Sequence, residues 1–339
     1  MLRKIELTSM KVLVPIAMLM GLSLNVSACN IPVFRYALER WKSDSYEIVV
    51  LYDELSSDQE QFVAGLEAAS TENNGLANAV VIRSKKDADQ NETNIGLWKM
   101  ISQSPDIKLP YLVVRGRAGQ GKEVQPWQGS IDEAKQVGLL DSPVRKELVR
   151  RLQNGHSIVW LMLKSNDSAR TAETRELLKL QCKELESKIK LPDGIGLPGS
   201  ELHSEIPLLI KFSFLEIDPD DRREELLVKL LTGIHPEAMT KGEPLIVPVF
   251  GRGRALEVIP ASDMSPALME DLTLFLGGAC SCQVKEKNPG FDLILSTDWN
   301  RELFGENGLL PPPAKTVTVT DRDRAPVLLT IPPGRKNHD

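Results

Sequence analysis

The chain has 339 residues, of which 42% are hydrophobic, and its formal net charge is −6. This length is enough for two packed domains, and the composition excludes a disordered chain and a polytopic membrane protein. Because the charge is acidic and no dense cluster of Lys and Arg interleaved with aromatic residues occurs, nucleic acid is excluded as an expected partner.

The N-terminus has the pattern of an export signal. Arg3, Lys4 and Lys11 precede an apolar run over residues 12–24, and small residues follow before Cys29. The run is shorter than the roughly 20 residues that a permanent membrane-spanning helix needs. We predict a signal peptide over residues 1–28 and an exported protein, either periplasmic or anchored to the membrane as a lipoprotein.

Cys29 has two interpretations. The sequence Val-Ser-Ala-Cys at residues 26–29 resembles the bacterial lipobox, and it also fits an ordinary signal-peptidase site. A lipid on Cys29 would tether the protein to a membrane. However, Pro32 opens a helix-like segment almost at once, whereas lipoproteins usually place a flexible tether there. A disulfide in an oxidising compartment is the alternative.

The first half of the mature chain, residues 29–155, predicts one α/β module. The strand YEIVVLY is followed by a helix with a capping box formed by Ser57 and Glu60, and then by the strand ANAVVIR. A short helix near IGLWKMIS, a strand after Pro110, the hairpin partner EVQPWQG and the helix SPVRKELVRRLQ complete the module.

Residues 156–279 repeat this plan. They contain the strand SIVWLMLK, a long helix from about Ser168 to Ile189, the strand PLLIKFSFLEI and the helix DRREELLVKLL. A strand after Pro244, the segment LEVIP and the helix SPALMEDLTLFLG follow. The likeness between the two segments that contain Pro110 and Pro244 indicates a duplicated module. The Gly/Arg turns of both copies are interpreted as hairpin turns, although Arg252 and Arg254 could bind an anion.

The order β-α-β-α-β-β-α, with a Pro before the third strand, resembles the thioredoxin fold from Pro32 to Gly278. The resemblance implies an α/β protein of two tandem thioredoxin-like domains with a C-terminal extension, and it makes Pro110 and Pro244 the cis-proline candidates. Thioredoxins carry Cys-x-x-Cys at the end of the first strand. The matching segments, Tyr52 to Asp58 and Lys164 to Ala169, contain no Cys. The usual dithiol chemistry is therefore not expected at either place.

The other cysteines are Cys182, Cys280 and Cys282. The spacing of Cys182 in its helix favours a buried, inert thiol. Cys280 and Cys282 are candidates for structural pairing, for example with Cys29, for redox chemistry, or for binding a soft metal. Metal binding is disfavoured because the four His residues form no ligand-spaced cluster with this pair. No cofactor is predicted.

The chain changes character after the second module. Residues 280–305 are interpreted as the Cys-x-Cys segment followed by an edge strand, FDLILSTDWNREL, and residues 306–339 as a Pro-rich tail in which TVTVTD could add one edge strand. Our leading hypothesis is a cell-envelope binding or scaffold protein whose partner is an unknown envelope protein. The alternatives are a thiol-disulfide oxidoreductase or electron carrier that uses Cys280 and Cys282, or soft-metal binding at that pair.

Overall fold

The structure is a computed structural model that describes residues 30–305 except 71–74, 89–90, 119–120 and 281–283. The protein is a mixed α/β protein with two sheets. The predicted signal peptide, Cys29, Cys282 and the predicted tail lie outside the described residues. Among the described helices, none combines the length and the apolar character needed to cross a membrane.

The first sheet lies in a module with the predicted order of elements. Its elements are α1 (Val33–Arg40), β1 (Tyr46–Tyr52), α2 (Ser57–Ala69), β2 (Ala79–Lys85), α3 (Glu92–Ser102), β3 (Tyr111–Ala118), β4 (Lys122–Ser130), α4 (Ile131–Ala134) and α5 (Pro143–Gln153). The capping box at the start of α2 is formed by Ser56 and Gln59, one position before the predicted pair Ser57 and Glu60. The difference arises because Ser56 keeps an extended backbone, whereas Ser57 is already helical.

The strands of this sheet lie in the order β2-β1-β3-β4. Strand β1 is parallel to β2 and antiparallel to β3, and β3 is antiparallel to β4. Alternate residues of β1 point to opposite faces, so Ile48 and Val50 pack with α2 while Val49 and Leu51 pack with α3. A strand covered on both faces needs the continuous apolar run that β1 has.

The second sheet has six strands and repeats part of this pattern. Its elements are β5 (Ile158–Leu163), α6 (Ser168–Lys188), β6 (Phe212–Ile217), α7 (Glu225–Ile234), α8 (Pro236–Thr240), β7 (Leu245–Phe250), β8 (Arg254–Ala255), β9 (Ile259–Pro260), α9 (Pro266–Gly277), β10 (Phe291–Asp292) and α10 (Trp299–Phe304). Strand β5 is parallel to β6 and antiparallel to β7, which repeats the pattern of β1, β2 and β3.

Three predicted strands of this half are clearly shorter than expected. The strand PLLIKFSFLEI keeps Phe212–Ile217 as β6. The predicted strand LEVIP keeps Ile259–Pro260 as β9, and the short strand β8 lies directly before it. Gly251 and Gly253, which have positive φ, turn the chain directly after β7. The predicted edge strand FDLILSTDWNREL keeps two residues as β10 and ends in helix α10. That helix forms because Asp298 caps it by accepting a hydrogen bond from the Arg301 N–H.

Helix α1 packs with the second module, although the predicted boundary at residue 155 assigns it to the first. Pro32 forms an antiparallel bridge with Ala279, and Trp41 packs against Phe250 with ring centroids 6.4 Å apart. The apolar side of α1 therefore covers one face of the second sheet. The faces of the first sheet are not available to it, because α2 and α3 already cover them.

Candidate functional site

The end of β1 and the loop before β3 form the first place where the resemblance implies chemistry. The Leu109–Pro110 peptide bond is cis. The Pro110 carbonyl accepts a hydrogen bond from the Ile131 N–H at 3.2 Å, and Tyr111 pairs with Leu51 of β1. Pro110 therefore lies beside the end of β1, at the position that the resemblance gives it.

This place carries no thiol. Asp53 and Glu54 are exposed after β1, and Ser56 caps α2. The pKa of Tyr111 is raised, chiefly by burial and further by the Glu133 carboxylate, so its phenol stays protonated at neutral pH. The side chains present offer hydrogen bonds and charges to a partner, but none of them can exchange a disulfide.

At the matching place in the second module, after β5, the polar side chains form hydrogen bonds with the backbone of the same module. The Ser165 hydroxyl donates a hydrogen bond to the Gly242 carbonyl at 2.9 Å, and the Asp167 carboxylate caps α6 by accepting from the Ala169 and Arg170 N–H groups at 3.0 Å. Each of these groups has a structural partner. No nucleophile and base face each other here within the described residues.

The expectation of a cis bond at Pro244 is wrong. Among the described residues Leu109–Pro110 is the one cis peptide bond, and Glu243–Pro244 is trans. The turn before β7 is made instead at Gly242, which has φ +68° and whose N–H donates to the Met239 carbonyl at 3.1 Å.

A polar cleft with a volume of about 420 Å³ lies beside this loop. Its polar lining includes His235, Glu237, Lys241, Glu243 and Ser262. The Lys241 ammonium pairs with Glu237 at 2.7 Å, and the Ser262 hydroxyl donates to Glu243 at 2.7 Å. The part of the chain that the structure describes contains no cluster of three or more His, Cys, Asp or Glu able to hold a metal ion.

The two described cysteines lie in the same apolar cluster of the second module. Cys182 is a free, buried thiol, as its helical spacing predicts, and burial raises its pKa to about 12. Cys280 is 3% exposed, and its N–H donates to the Ile31 carbonyl at 2.9 Å. Cys29 and Cys282, the other two candidate residues, lie outside the described part.

The guanidinium groups of Arg252 and Arg254 form hydrogen bonds with other groups of the protein. Arg252 donates to the Leu38 carbonyl at 2.8 Å and to the Glu39 carbonyl at 3.1 Å, where helix α1 ends. Arg254 contacts Asp292 at 3.3 Å and three backbone carbonyls between residues 288 and 290. Both side chains therefore fix backbone, and neither is available to the anion considered from the sequence.

The sequence interpretation missed the buried charges between the modules. The Arg145 guanidinium donates to the Leu139 and Ile294 carbonyls at 3.2 Å each and also to the Gly138 carbonyl. The Glu224 carboxylate accepts from the Ser142 hydroxyl at 2.6 Å. The available signal was an Arg on the apolar face of the helix SPVRKELVRRL, three residues after its cap Ser142.

No protein-family model matches the chain, and no curated protein matches it. Among solved structures it is similar to the first two thioredoxin domains of Naumovozyma dairenensis Eps1p, at 9% identity over 71% of this chain and 93% of that one, with a TM-score of 0.22. It is also similar to human ERp44 in its zinc-bound form, at 11% identity over 69% of this chain and 55% of that one, with a TM-score of 0.20. A third is full-length ERdj5, at 9% identity over 72% of this chain and 32% of that one, also with a TM-score of 0.20.

The chain thus spans nearly all of the first structure, about half of the second and a third of the third. The first of these structures consists of two thioredoxin domains. Because these TM-scores are low, the description of the fold rests on the strand order and the connections of the two sheets.

Proposed function

We propose that the protein is an exported cell-envelope binding or scaffold protein, built on two tandem thioredoxin-like modules that lack dithiol chemistry. The repeated order β-α-β-α-β-β-α with the same strand pairing supports the fold. One observation carries the function: at the ends of β1 and β5 the chain has caps and hydrogen-bonded polar groups where a redox module needs a thiolate.

The oxidoreductase alternative depends on Cys280 and Cys282. Thiol-disulfide exchange requires a thiolate that its partner can reach. Cys280 is 3% exposed and lies among apolar side chains, which favours the scaffold over an enzyme.

The described neighbours of Cys29 and Cys282 support a structural disulfide. Pro32 pairs with Ala279 in an antiparallel bridge, flanked by hydrogen bonds from the Val33 N–H to the Gly278 carbonyl and from the Cys280 N–H to the Ile31 carbonyl. We infer that this register continues outward, which would set position 29 opposite position 282. We therefore propose that Cys29 pairs with Cys282, and not with Cys280, in an oxidising compartment.

Mass spectrometry of the mature protein from the membrane and soluble fractions of its native host tests the location and the pairing. We expect a chain that begins at Cys29 and, without reduction, a peptide pair linking Cys29 to Cys282 that reduction separates. A diacylglyceryl adduct on Cys29 would overturn the disulfide and make Cys29 a lipid anchor. A chain that retains residues 1–28 would overturn export.

The absence of redox activity has its own test. We expect the purified protein to reduce insulin no faster than its Cys280→Ser and Cys282→Ser variants, and to carry no stoichiometric metal when purified without chelator. Activity that disappears in either variant, while the circular dichroism spectrum is unchanged, would establish the oxidoreductase instead.

A further inference from the structure

Among the described residues the two sheets have five edge strands, and four of them are short or protected. Strand β9 pairs with β7 and is two residues long. Helix α7 lies along β4, where the Trp127 indole N–H donates to Glu225 at 3.2 Å. Strand β10 is two residues long. On β6, the Glu186 carboxylate accepts from the Phe212 N–H at 2.7 Å and Arg151 donates to the Phe214 carbonyl at 2.8 Å, so side chains occupy the outward backbone groups.

Strand β2 is the equivalent of β6 in the first module, and its edge is open. The Tyr46 N–H donates to the Asn78 carbonyl at 3.0 Å, and the Lys86 N–H donates to the Tyr52 carbonyl at 2.8 Å. These two bonds direct the backbone groups of even-numbered residues toward β1. The N–H and C=O groups of odd-numbered residues therefore point away from β1. Ala79 is fully buried, since residues 69 and 70 pair with Ala77 on this side, but the groups of the half-buried Val81 and Arg83 have no partner among the described residues.

At Val81 and Arg83 this edge lacks the usual protection against pairing with another strand; the exposed Lys85 lies at its end. The register between β1 and β2 runs without a bulge from Ala79 to Lys85, and no Pro interrupts it. Arg83 cannot protect the edge by its charge, because its guanidinium is turned onto helix α2. There it contacts Glu67 at 2.6 Å and Glu60 at 2.7 Å. An uninterrupted edge rich in β-branched residues is a template for a further strand.

We propose that residues 316–321 of the same chain, Thr-Val-Thr-Val-Thr-Asp, cover this edge as a fifth strand of the first sheet. These residues lie outside the described part. Alternating β-branched residues form strands readily, and Thr and Val pair well across strands with residues such as Val81 and Ile82. An internal strand would protect the edge without a partner protein.

The chain can reach this edge. The Thr297 N–H donates to the Leu76 carbonyl at 2.9 Å, so the C-terminal segment lies near the start of β2. It lies on the side that faces β1, and the chain after Gly305 must pass around β2 to reach the open edge. Helix α10 adds roughly 9 Å, and the flanking residues with the contact between Thr297 and Leu76 add up to about 16 Å more, so Gly305 lies within roughly 25 Å of Leu76. Residues 306–315 span up to about 33 Å when extended, which exceeds the distance to be crossed.

Amide hydrogen exchange on the full mature chain and on a chain ending at Gly305 tests the proposal. In the full chain we expect the Val81 and Arg83 amides to exchange roughly tenfold or more slowly than in the shortened chain. The Val80 and Ile82 amides bond to β1 and should be equally protected in both, which shows that the module stays folded. The double variant Val317→Pro, Val319→Pro should behave like the shortened chain, whereas Val327→Pro, outside the proposed strand, should behave like the full chain.

Two results would overturn the proposal. One is fast exchange of the Val81 and Arg83 amides in the full chain. The other is equal protection of these amides in both chains, which would assign the edge to a second copy if the protection rose with protein concentration. Neither result depends on export, so this inference and the proposed function can fail separately.

Discussion

Arg145 joins the two modules through a single side chain. Its guanidinium is buried and donates to carbonyls of the loop before α5 and of the segment after β10. Burial lowers its pKa to about 10, while the Glu224 carboxylate opposes that shift, so the side chain stays charged at neutral pH. A buried cation of this kind fixes the positions of the carbonyls that surround it.

We expect Arg145→Met to lower the free energy of unfolding by roughly 3 to 5 kcal/mol, because it leaves buried carbonyls and the Glu224 carboxylate without their cation. Urea unfolding measures this value. Arg150→Met on the same helix is the control. Since the Arg150–Glu147 pair is largely exposed, it should cost at most about 0.5 kcal/mol. Equal effects of the two substitutions would contradict this role of Arg145.

His156 makes the stability depend on pH. Its Nδ1 lies 2.8 Å from the Ser213 hydroxyl. Burial, and then the nearby cations of Lys211 and Arg151, lower the pKa of His156 from 6.5 to about 4. Between these two values the unfolded chain binds a proton that the folded chain does not. The contribution of His156 is therefore complete above pH 6.5 and is lost as the pH falls toward 4.

We expect His156→Asn to weaken this dependence. The urea midpoint of the natural protein should fall more between pH 7 and pH 4.5 than that of the variant, because Asn cannot take up the proton. Other titrating groups are common to both proteins and cancel in the difference. Parallel curves over this range would contradict the assignment.

At the scale of elements, helix α1 is held by a buried ion pair and by distant backbone. The Arg35–Glu39 pair is 2.6 Å long with both side chains at most 2% exposed. Arg35 also donates to the Ser204 and Ile206 carbonyls, at 2.8 and 2.7 Å. These contacts connect the helix to the loop that leads into β6.

We expect Arg35→Met and Glu39→Gln each to cost roughly 3 kcal/mol or more, and the double variant clearly less than their sum. A double-mutant cycle by urea unfolding measures the coupling, which should be roughly 1 to 3 kcal/mol. The exposed pair Lys241–Glu237 supplies the control cycle, with an expected coupling of about 0.5 kcal/mol or less. Additive effects at Arg35 and Glu39 would show that the pair is not coupled.

The elements that could be predicted from the sequence are those that local patterns determine. The apolar runs of β1 and β5 and the Ser-Pro starts of α5 and α9 predicted strands and helices that the structure contains. The location of α1 could not be predicted in this way, because its partners lie about 200 residues further along the chain. The same holds for the candidate site: the missing cysteines are visible in the sequence, whereas the contact between Ser165 and Gly242 depends on tertiary structure.

At the scale of the whole molecule, the modules share an interface with buried polar contacts. The Tyr46 hydroxyl of β1 donates to the Asp292 carbonyl at 2.8 Å, and burial is the main reason why its pKa is strongly raised. The Asn78 side chain donates to the Leu293 carbonyl at 3.0 Å. Groups buried in this way lose their partners if the modules separate, which penalises opening.

We therefore expect the modules to unfold together. Differential scanning calorimetry should give one transition whose calorimetric and van't Hoff enthalpies agree. In Arg145→Met the calorimetric enthalpy should exceed the van't Hoff enthalpy, or the transition should split into two. Arg150→Met should leave the single transition in place. Two transitions in the natural protein would show that the modules are independent.

The contact of α1 with the second sheet also determines how the protein can be divided. The second module is not a continuous stretch of sequence, because it needs residues 30–41 in addition to the residues after 156. A protein cut between the modules would remove that helix and leave Phe250 and the surrounding apolar surface uncovered. An independent version of the second module would therefore have to be a circular permutant, in which residues 30–41 are joined behind Gly305 by a linker.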